Sequence, residues 1–319
     1  MSDFSRFAKF LACPLDATSL SIWEEKLVCE KKHEFAIEQG VPIFTNNARR
    51  EYEPRNMPAC KIQEPSTTDP FVSNWIVNTN GNLYWRVRGK LPRYPIPEWP
   101  FAKGEGKVVV DLGCGWGRWC LSATAAGLRA IGVDVHLDAL QAAKRVANQK
   151  KVDAGYFCSD IEHLPFRSGS IDQIFSYSVL QHLEREKVGR ILEEGWRVLK
   201  AGGELSIQLP NARGLYSFVQ RLRRGFREAK SGTFEMRYWS RSQIRELLRN
   251  AGFQGAKITA DGYFSQNPQL TDLDLLSVIG KSVVLTSYAG CALSRAIPPL
   301  VAIADSFWIT ARKPENGGA

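Results

Sequence analysis

Short blocks rich in apolar residues alternate with longer amphipathic stretches along the chain after residue 107. The blocks lie at residues 108–112, 130–133, 154–158, 171–176 and 204–209. A short continuous apolar run is typical of a strand that is buried on both faces of a sheet. Stretches in which apolar residues have helical spacing lie at residues 117–126, 137–150 and 185–199. Because strands that alternate with helices favour a parallel sheet with right-handed crossovers, the sequence predicts an α/β fold.

A glycine-rich turn follows the first predicted strand. Gly113, Gly115 and Gly117 stand at every second position, and Asp111 precedes the first of them by two residues. Glycines just past the end of a strand permit a tight turn and let a ligand lie against the backbone. The dinucleotide-binding fingerprint has the spacing G-x-G-x-x-G, and the G-x-G-x-G spacing of this turn departs from it.

Acidic residues stand at the ends of the next two predicted strands. Asp134 follows residues 130–133 and lies about 20 residues beyond the glycine turn, where a carboxylate accepts hydrogen bonds from ribose hydroxyls. Asp160 follows the strand at residues 154–158, and Leu-Pro-Phe comes a few residues later, at 164–166. NAD sites also have an acid at the position of Asp134, so Asp134 alone does not indicate which nucleotide cofactor binds. An acid at the position of Asp160 is the more informative feature.

Residues 105–210 resemble the class I S-adenosylmethionine-dependent methyltransferases, in the group that includes the quinone C-methylases. The resemblance rests on the glycine turn, Asp134, Asp160, the Leu-Pro-Phe segment, and residues 177–183 and 197–203. It implies a Rossmann-like sheet of seven strands, whose last two strands form an antiparallel hairpin near residues 256–263 and 307–311. It also implies S-adenosylmethionine as the cofactor.

The resemblance further implies which residues contact this cofactor. The glycine backbones would approach its methionine and ribose portions, and Asp111 would attract the amino group of the methionine portion. Asp134 would accept hydrogen bonds from the ribose, and Asp160 would accept one from the adenine amino group. The residues predicted to contact the cofactor are Asp111, Gly113, Cys114, Gly115, Gly117, Asp134, Val135, Asp160, Ile161, Ser176 and Tyr177.

His182 is the predicted general base. Methyl transfer from a sulfonium mainly requires that donor and nucleophile be aligned and that water be excluded. His182 follows the fourth predicted strand on the rim of the expected site, and histidine accepts a proton near neutral pH. The alternative is that His182 only caps or packs near the next helix.

The first fifty residues predict a small β-rich module. Their sequence resembles the zinc-ribbon-like modules of the Trm112 type and the N-terminal zinc module of large-subunit rRNA guanine methyltransferases. The resemblance implies metal ligands at Cys13, Asp16, Cys29 and His33, with Asp16 at the position of a second cysteine. Because structural zinc sites prefer cysteine and histidine, this departure favours a metal-free module over a bound zinc ion, and both alternatives stay open.

Three units are therefore expected along the chain. They are the Trm112-like module at residues 1–50, a connector and lid segment at 51–104, and a methyltransferase domain at 105–319. Within the last unit we expect a basic helix at residues 213–230 and an insertion at 265–305. Pro298-Pro299 interrupts the apolar part of this insertion, which predicts two buried or peripheral helices rather than a membrane-spanning one.

Charge and composition narrow the choice of partners and compartment. The net charge is +9, and the predicted basic helix holds six basic residues and one acid. A basic amphipathic helix meets nucleic acid, anionic lipid or phosphate groups, or forms the solvated face of a lid. Seven irregularly spaced cysteines and the absence of a signal-peptide pattern predict a cytoplasmic protein with no transmembrane segment and leave peripheral membrane contact open.

The leading hypothesis is an S-adenosylmethionine-dependent methyltransferase that acts on an oxygen, nitrogen or carbon atom of a small-molecule, lipid or glycan-linked acceptor. The alternative is an RNA base methyltransferase that uses the N-terminal module and the basic helix. Base-directed enzymes often carry an Asn/Asp-Pro-Pro-Tyr/Phe motif after the fourth strand, and residues 176–179 read Ser-Tyr-Ser-Val instead. The third hypothesis is a non-catalytic cofactor-binding protein or a nicotinamide enzyme.

Overall fold

The structure is a computed structural model, and two sheets organise it. The residues that it describes are 5–50, 59–64, 66–230, 233, 235–264 and 269–315. The first part of the predicted connector, at residues 51–58 and Pro65, lies outside the described residues, as do the first four residues of the predicted insertion.

The smaller sheet lies near the N-terminus and is antiparallel. It follows a 3₁₀ helix at Ser5–Phe10, and its strands are β1 (Leu20–Trp23), β2 (Lys26–Cys29), β3 (Glu34–Glu38) and β4 (Val41–Pro42). Phe7, Leu27 and Phe44 are buried in the same apolar cluster as Phe157 of the larger sheet. The N-terminal module therefore shares its core with the rest of the chain.

The larger sheet has seven strands. They are β5 (Val108–Leu112), β6 (Arg129–Asp134), β7 (Ala154–Cys158), β8 (Ile171–Ser176), β9 (Leu199–Pro210), β10 (Gln254–Gly262) and β11 (Ser306–Arg312). Their order across the sheet is β10-β11-β9-β8-β5-β6-β7. The strands β5 to β9 pair in parallel, whereas β11 runs antiparallel to both of its neighbours. The predicted α/β sheet with an antiparallel C-terminal hairpin is confirmed.

Seven α-helices accompany these strands in the described ranges. They are α1 (Pro70–Asn80), α2 (Arg118–Ala125), α3 (Leu137–Lys150), α4 (Arg185–Val198), α5 (Leu215–Arg223), α6 (Arg241–Asn250) and α7 (Val278–Ala296). Further 3₁₀ turns lie at Asn82–Val87, Leu180–His182, Leu270–Leu275 and Pro298–Ile303. None of the helices in these ranges has the length and apolar character that crossing a bilayer requires.

Two predicted elements differ from the structure, and a third takes one of its two predicted arrangements. The connector holds a helix, α1, which begins with a proline and is capped by the Asp69 side chain on the Phe71 amide. The predicted basic helix at residues 213–230 ends at Arg223, because Gly225 and Phe226 adopt left-handed backbone angles. The helices of the apolar stretch lie at the periphery, and many of their large side chains are exposed.

Side chains from the connector hold the insertion in place, and we call this set of contacts the Tyr84–Asp272 clasp. The Tyr84 hydroxyl donates to Asp272 Oδ2 at 2.5 Å, and Arg93 donates to Asp272 and to Asp274. Arg86 Nη1 donates to the Leu276 carbonyl at 3.1 Å. Burial and the neighbouring carboxylate raise the pKa of Tyr84, so its hydroxyl stays a donor.

Candidate active site and metal centre

A cavity of about 850 Å³ opens at the carboxyl ends of the parallel strands. It lies beside β5 and β8, where the chain order of the sheet reverses, and ligands of open α/β sheets bind at such a point. Its walls come from the ends of these strands, from the end of α1, and from the chain that follows β8. Both charged and aromatic side chains line it.

The glycine turn forms the floor of the cavity. The φ angles of Gly113, Gly115 and Gly117 are all positive, at +77°, +53° and +79°. A Cβ atom on Gly113 would lie 2.4 Å from Val179, whereas a Cβ atom on Gly115 would meet nothing within 4 Å. Packing therefore excludes a side chain at Gly113, and at Gly115 the backbone faces open space in which a ligand could lie.

Asp134 stands next to this turn with its carboxylate already oriented. Its Oδ2 accepts from the Gly115 amide at 2.9 Å, and its Oδ1 accepts from the His136 amide at 2.9 Å. Burial raises the pKa of Asp134, but the hydrogen bonds and charge of His136 outweigh burial and hold the pKa below its ordinary value. The carboxylate is therefore ionised, as an acceptor for ribose hydroxyls must be.

The third predicted acid also faces the cavity. Asp160 Oδ1 accepts from the Glu162 amide at 3.0 Å, and its Oδ2 lies 3.7 Å from Lys187 Nζ. Ile161 lines the cavity beside it. Asp134 and Asp160 follow adjacent strands, β6 and β7, so the sheet brings these two acids to one edge.

Three of the predicted cofactor residues, Asp111, Gly117 and Ser176, do not line the cavity in the described part of the chain, and their contact with the cofactor stays a prediction. The Ser176 hydroxyl donates to the Leu112 carbonyl at 2.9 Å, and Gly117 packs against Tyr156. Asp111 is buried behind the turn, with Cys120 Sγ 3.8 Å from its Oδ2. Burial and the charge of Asp134 raise the pKa of Asp111 to about 8. Asp111 is therefore mainly protonated, and hence uncharged, at neutral pH.

Arg118 is the cavity residue that the sequence reasoning missed. It is only 8% exposed, and its guanidinium lies 5.5 Å from the ring centre of Tyr177 and 5.6 Å from that of Trp119. Within the described ranges it forms no hydrogen bond or ion pair. A buried guanidinium whose five N–H donors are free is suited to a carboxylate or phosphate. Its place directly after the last glycine of the turn was the available signal.

Several other polar atoms at the cavity have no hydrogen-bond partner in the described part of the chain. Both amide atoms of Asn78, the Nδ2 of Asn80 and the Oε1 of Gln181 are buried and unpaired. Buried polar groups are normally satisfied, so these atoms fit a cavity that receives a polar ligand. The residues present therefore fit a nucleoside-type cofactor, and α1, which was not predicted, supplies part of its site.

His182 lines the same cavity as the glycine turn, at the end of a 3₁₀ turn after β8. Its Nε2 lies 3.4 Å from Gln181 Nε2, and its carbonyl accepts from Arg237 Nη1 at 3.1 Å. The ring is half-buried, so it borders the cavity and solvent. Its role as a base stays a prediction.

Comparison with known proteins places most of this site within one domain. Residues 110–207 match the model of a methyltransferase domain. This part of the chain is a methyltransferase domain. It contains β5 to β8 and most of β9, and with them the glycine turn, the three acids, Arg118 and His182. Asn78 and Asn80 lie outside the methyltransferase domain and close its cavity from the connector side.

Several curated proteins are similar to this chain over a limited stretch. The biotin biosynthesis bifunctional protein BioHC of Cellvibrio japonicus is 30% identical over 166 residues, 51% of this chain and 31% of that protein. The malonyl-[acyl-carrier protein] O-methyltransferase of Yersinia pestis is 35% identical over 98 residues, 31% of this chain and 34% of that protein. The ubiquinone biosynthesis O-methyltransferase of Coxiella burnetii is 31% identical over 101 residues, 32% of this chain and 42% of that protein. The chain spans less than half the length of these relatives.

Among solved structures, a SAM dependent methyltransferase from Archaeoglobus fulgidus aligns with 20% identity and a TM-score of 0.47, over 75% of this chain and 98% of that one. The fold and the methyltransferase domain are therefore established from the strand order of this chain and from the match over residues 110–207.

A second cluster lies in the N-terminal module, where the four predicted metal ligands converge. The donor atoms of Cys13, Asp16, Cys29 and His33 all lie within 4.8 Å of one another. His33 Nδ1 lies 3.2 Å from Asp16 Oδ2, 3.3 Å from Cys29 Sγ and 3.6 Å from Cys13 Sγ. Tetrahedral zinc with bonds of about 2.0–2.3 Å separates its ligand atoms by roughly 3.3–3.8 Å. The donor set therefore fits a zinc ion.

Proposed function

We propose that the chain is an S-adenosylmethionine-dependent methyltransferase that acts on a small-molecule, lipid or glycan-linked acceptor. One observation carries this proposal: Gly115, Asp134 and Asp160 line the same cavity of a methyltransferase domain. The backbone at Gly115 faces open space there. Two of the relatives, those from Yersinia pestis and Coxiella burnetii, are named as O-methyltransferases of a malonyl-[acyl-carrier protein] and of ubiquinone biosynthesis. Their names support an acceptor outside nucleic acid.

Each wall of the cavity would hold one portion of the cofactor. Asp134 would accept hydrogen bonds from the ribose hydroxyls, and Asp160 would accept one from the adenine amino group. Arg118 would bind the carboxylate of the methionine portion through its free N–H donors. Bound in this way, the cofactor supplies an activated methyl group on a sulfonium, and the aromatic and buried walls exclude water from it.

His182 would serve as the base. It lines the same cavity as the glycine turn, so an acceptor bound beside the cofactor would have its hydroxyl or amine near the imidazole. The imidazole would take the proton that the acceptor loses as its oxygen or nitrogen bonds to the methyl carbon. Gln181 and Arg237 hold this segment of chain, so they are positioning residues.

Isothermal titration calorimetry tests the cofactor proposal. We expect S-adenosylmethionine and S-adenosylhomocysteine to bind and NAD not to bind. Asp134→Asn should weaken binding by about 10–100-fold, because a hydrogen bond to a charged group is worth about 1.5–3 kcal/mol. The surface variant Asp153→Asn is the matched control. Tight binding of NAD alone would contradict the proposal.

Two ligands that differ in the amino acid portion test the role of Arg118 in binding. Arg118→Gln should weaken S-adenosylhomocysteine by about tenfold. The same variant should leave 5′-methylthioadenosine unchanged, because this nucleoside lacks the amino acid portion. An equal loss for both ligands would show that the substitution disturbs the cavity as a whole.

Single-turnover methyl transfer tests His182 once an acceptor is in hand. His182→Ala should lower the rate by about 10²–10⁴-fold while the calorimetric affinity for S-adenosylhomocysteine stays the same. His163→Ala, on the loop after β7, is the control. Unchanged turnover in His182→Ala would remove it as the base. RNA binding that falls steeply with salt would instead favour an RNA acceptor.

We also propose that Cys13, Asp16, Cys29 and His33 hold a structural zinc ion. The ion would join the loop after the first 3₁₀ helix to the turn between β2 and β3. Elemental analysis of the full chain should find about one zinc per chain, and chelation should lower the melting temperature. Cys29→Ser should lose the metal, whereas Cys60→Ser, a free cysteine outside the cluster, should keep it. A chain that stays metal-free when zinc is supplied would contradict this proposal.

A further inference from the structure

The helix α5 packs with its apolar stripe turned away from the protein. Ser217 is the one buried residue of α5, and the Ser217 amide donates to Asp305 Oδ1 at 2.7 Å. Leu215, Val219 and Leu222 lie on the opposite side of the helix, because they are displaced from Ser217 by about half a turn. Leu222 is 56% exposed and the other two are more than 40% exposed. An ordinary surface helix has the reverse arrangement.

The helix α7 has the same inverted arrangement. Its buried face consists of Val284 and a row of small residues, Gly280, Ser287 and Ser294, spaced seven apart. Large apolar side chains point outward instead, and Val278 at its start is 79% exposed. The exposed large apolar residues of α7 and the turn after it are Val278, Ile279, Leu285, Tyr288, Leu293, Ile297 and Ile303.

The two helices are anchored at one place. Asp305, at the start of β11, accepts from the Ser217 amide of α5 and from the Phe264 amide. The neighbouring Tyr263 amide donates to Ser287 Oγ of α7 at 2.8 Å. The inner faces of α5 and α7 are therefore attached to adjoining segments, Asp305 and residues 263–264, and we call the two outward faces together the apolar–basic surface.

Both parts of this surface carry positive charge. Residues 213–230 contain six basic residues and a single acid, Glu228. Residues 276–304 contain Lys281 and Arg295 and no acid. Phe226, at the end of the turn after α5, packs on Phe218 and lies under the Arg221 guanidinium. Aromatic, aliphatic and guanidinium groups are thus mixed on one face.

We propose that the apolar–basic surface docks the protein on an anionic lipid bilayer. Outward aliphatic and aromatic side chains with arginines beside them match the interface of a bilayer, where the apolar groups enter the acyl boundary and the guanidinium groups meet lipid phosphates. A second copy of the chain would bring two positive surfaces together. RNA would pair with the arginines but would leave the aliphatic side chains in water.

The surface is connected to the cavity. Arg237 lines the cavity, and its Nη2 donates at 2.9 Å to the carbonyl of Lys230, the last residue of the basic stretch. Met236 also lines the cavity. If the chain is a methyltransferase as proposed above, docking would present the rim of its site to the membrane, which favours the lipid class of acceptor.

Vesicle co-sedimentation of the full chain, without any methyl donor, tests the docking itself. We expect binding to phosphatidylcholine vesicles that contain phosphatidylglycerol, weaker binding to phosphatidylcholine alone, and release by salt. Phe218→Glu with Leu222→Glu should lower partitioning by about tenfold or more. Arg223→Gln and Arg227→Gln should each lower it by about fivefold. Because these side chains point outward, the melting temperature should be retained.

Matched variants elsewhere on the surface complete the experiment. Ile22→Glu with Trp23→Glu removes exposed apolar side chains of β1, and Arg245→Gln with Arg249→Gln removes charges of α6; both should bind as the wild type does. The proposal is overturned if the wild type ignores anionic vesicles or if the α5 variants bind equally. It is also overturned if the surface proves to be a dimer contact that Leu222→Glu dissolves, or if only RNA binds. None of these readouts depends on methyl transfer.

Discussion

The central sheet and the pair of helices α5 and α7 both carry regular apolar patterns, yet one hides its apolar side chains and the other exposes them. Val133 of β6 is fully buried, whereas Val219 of α5 is 41% exposed. A strand inside a parallel sheet is covered on both faces, so its pattern also fixes its burial. A helix has a single stripe, and in α5 the bond from Ser217 to Asp305 decides which way that stripe faces.

The largest effect is expected where the central sheet ends, at Gly113. Gly113→Ala should cost about 2–5 kcal/mol, because it adds a clash with Val179 to the strain of a positive φ. Gly106→Ala has almost the same φ but open space around it, and should cost about 1–2 kcal/mol. Chemical denaturation measures both.

A second substitution separates clash from strain in this comparison. Val179→Ala combined with Gly113→Ala should recover part of the lost free energy of unfolding, because it removes the two methyl groups in the way. Equal stability of Gly113→Ala and Gly106→Ala would mean that the turn relaxes freely and that the sheet end is not tightly packed.

The same substitution in the two regions tests their contrast directly. Val133→Ala should cost about 2 kcal/mol of the free energy of unfolding, from two lost methyl groups and the cavity that they leave. Val219→Ala should change it by less than about 0.5 kcal/mol, because the side chain is outside and alanine favours a helix. A large loss at Val219 would mean that the α5 stripe is buried in solution.

The smallest effect concerns pH and the buried Asp111. Its pKa is raised to about 8, so between its ordinary pKa and 8 the folded chain binds a proton that the unfolded chain releases. The free energy of unfolding therefore falls as pH rises through this range and levels off above it. Asp111→Asn removes this fall, so its stability relative to the wild type should grow by about 1 kcal/mol or more from pH 5 to 8.5. Asp153→Asn controls for the lost charge, and a pH-independent difference would contradict the raised pKa.

Much of the central sheet could be predicted from the sequence because its strands are short blocks rich in apolar residues that alternate with stretches of helical spacing, and the first of them runs directly into the glycine turn. The positions of Gly115, Asp134 and Asp160 at one edge follow from that order. These residues are close in sequence to the strands that place them. For the same reason the sequence predicts where the cavity lies.

The rest of the site depends on contacts between segments that are distant in sequence. Asn78 and Asn80 reach the cavity because α1 packs near α3, and α1 carries no strong apolar period. Arg118 follows the glycines directly, but only the fold shows that its guanidinium is buried and has no hydrogen-bond or ion-pair partner among the described residues. Asp111 is in the expected motif, and only the packing shows that Cys120, rather than the cavity, faces it.

The Tyr84–Asp272 clasp has a consequence for the order in which the chain folds. Its two ends are 188 residues apart, and ribosomes add about 5–20 residues per second, so roughly 10–40 s pass between their synthesis. During this time the aromatic residues near Tyr84 lie next to a nascent sheet. The segment that later covers these aromatic residues has not yet been synthesised. The strands of the methyltransferase domain are complete before the clasp can close, so closure is a late, long-range step that joins the first third of the chain to the last.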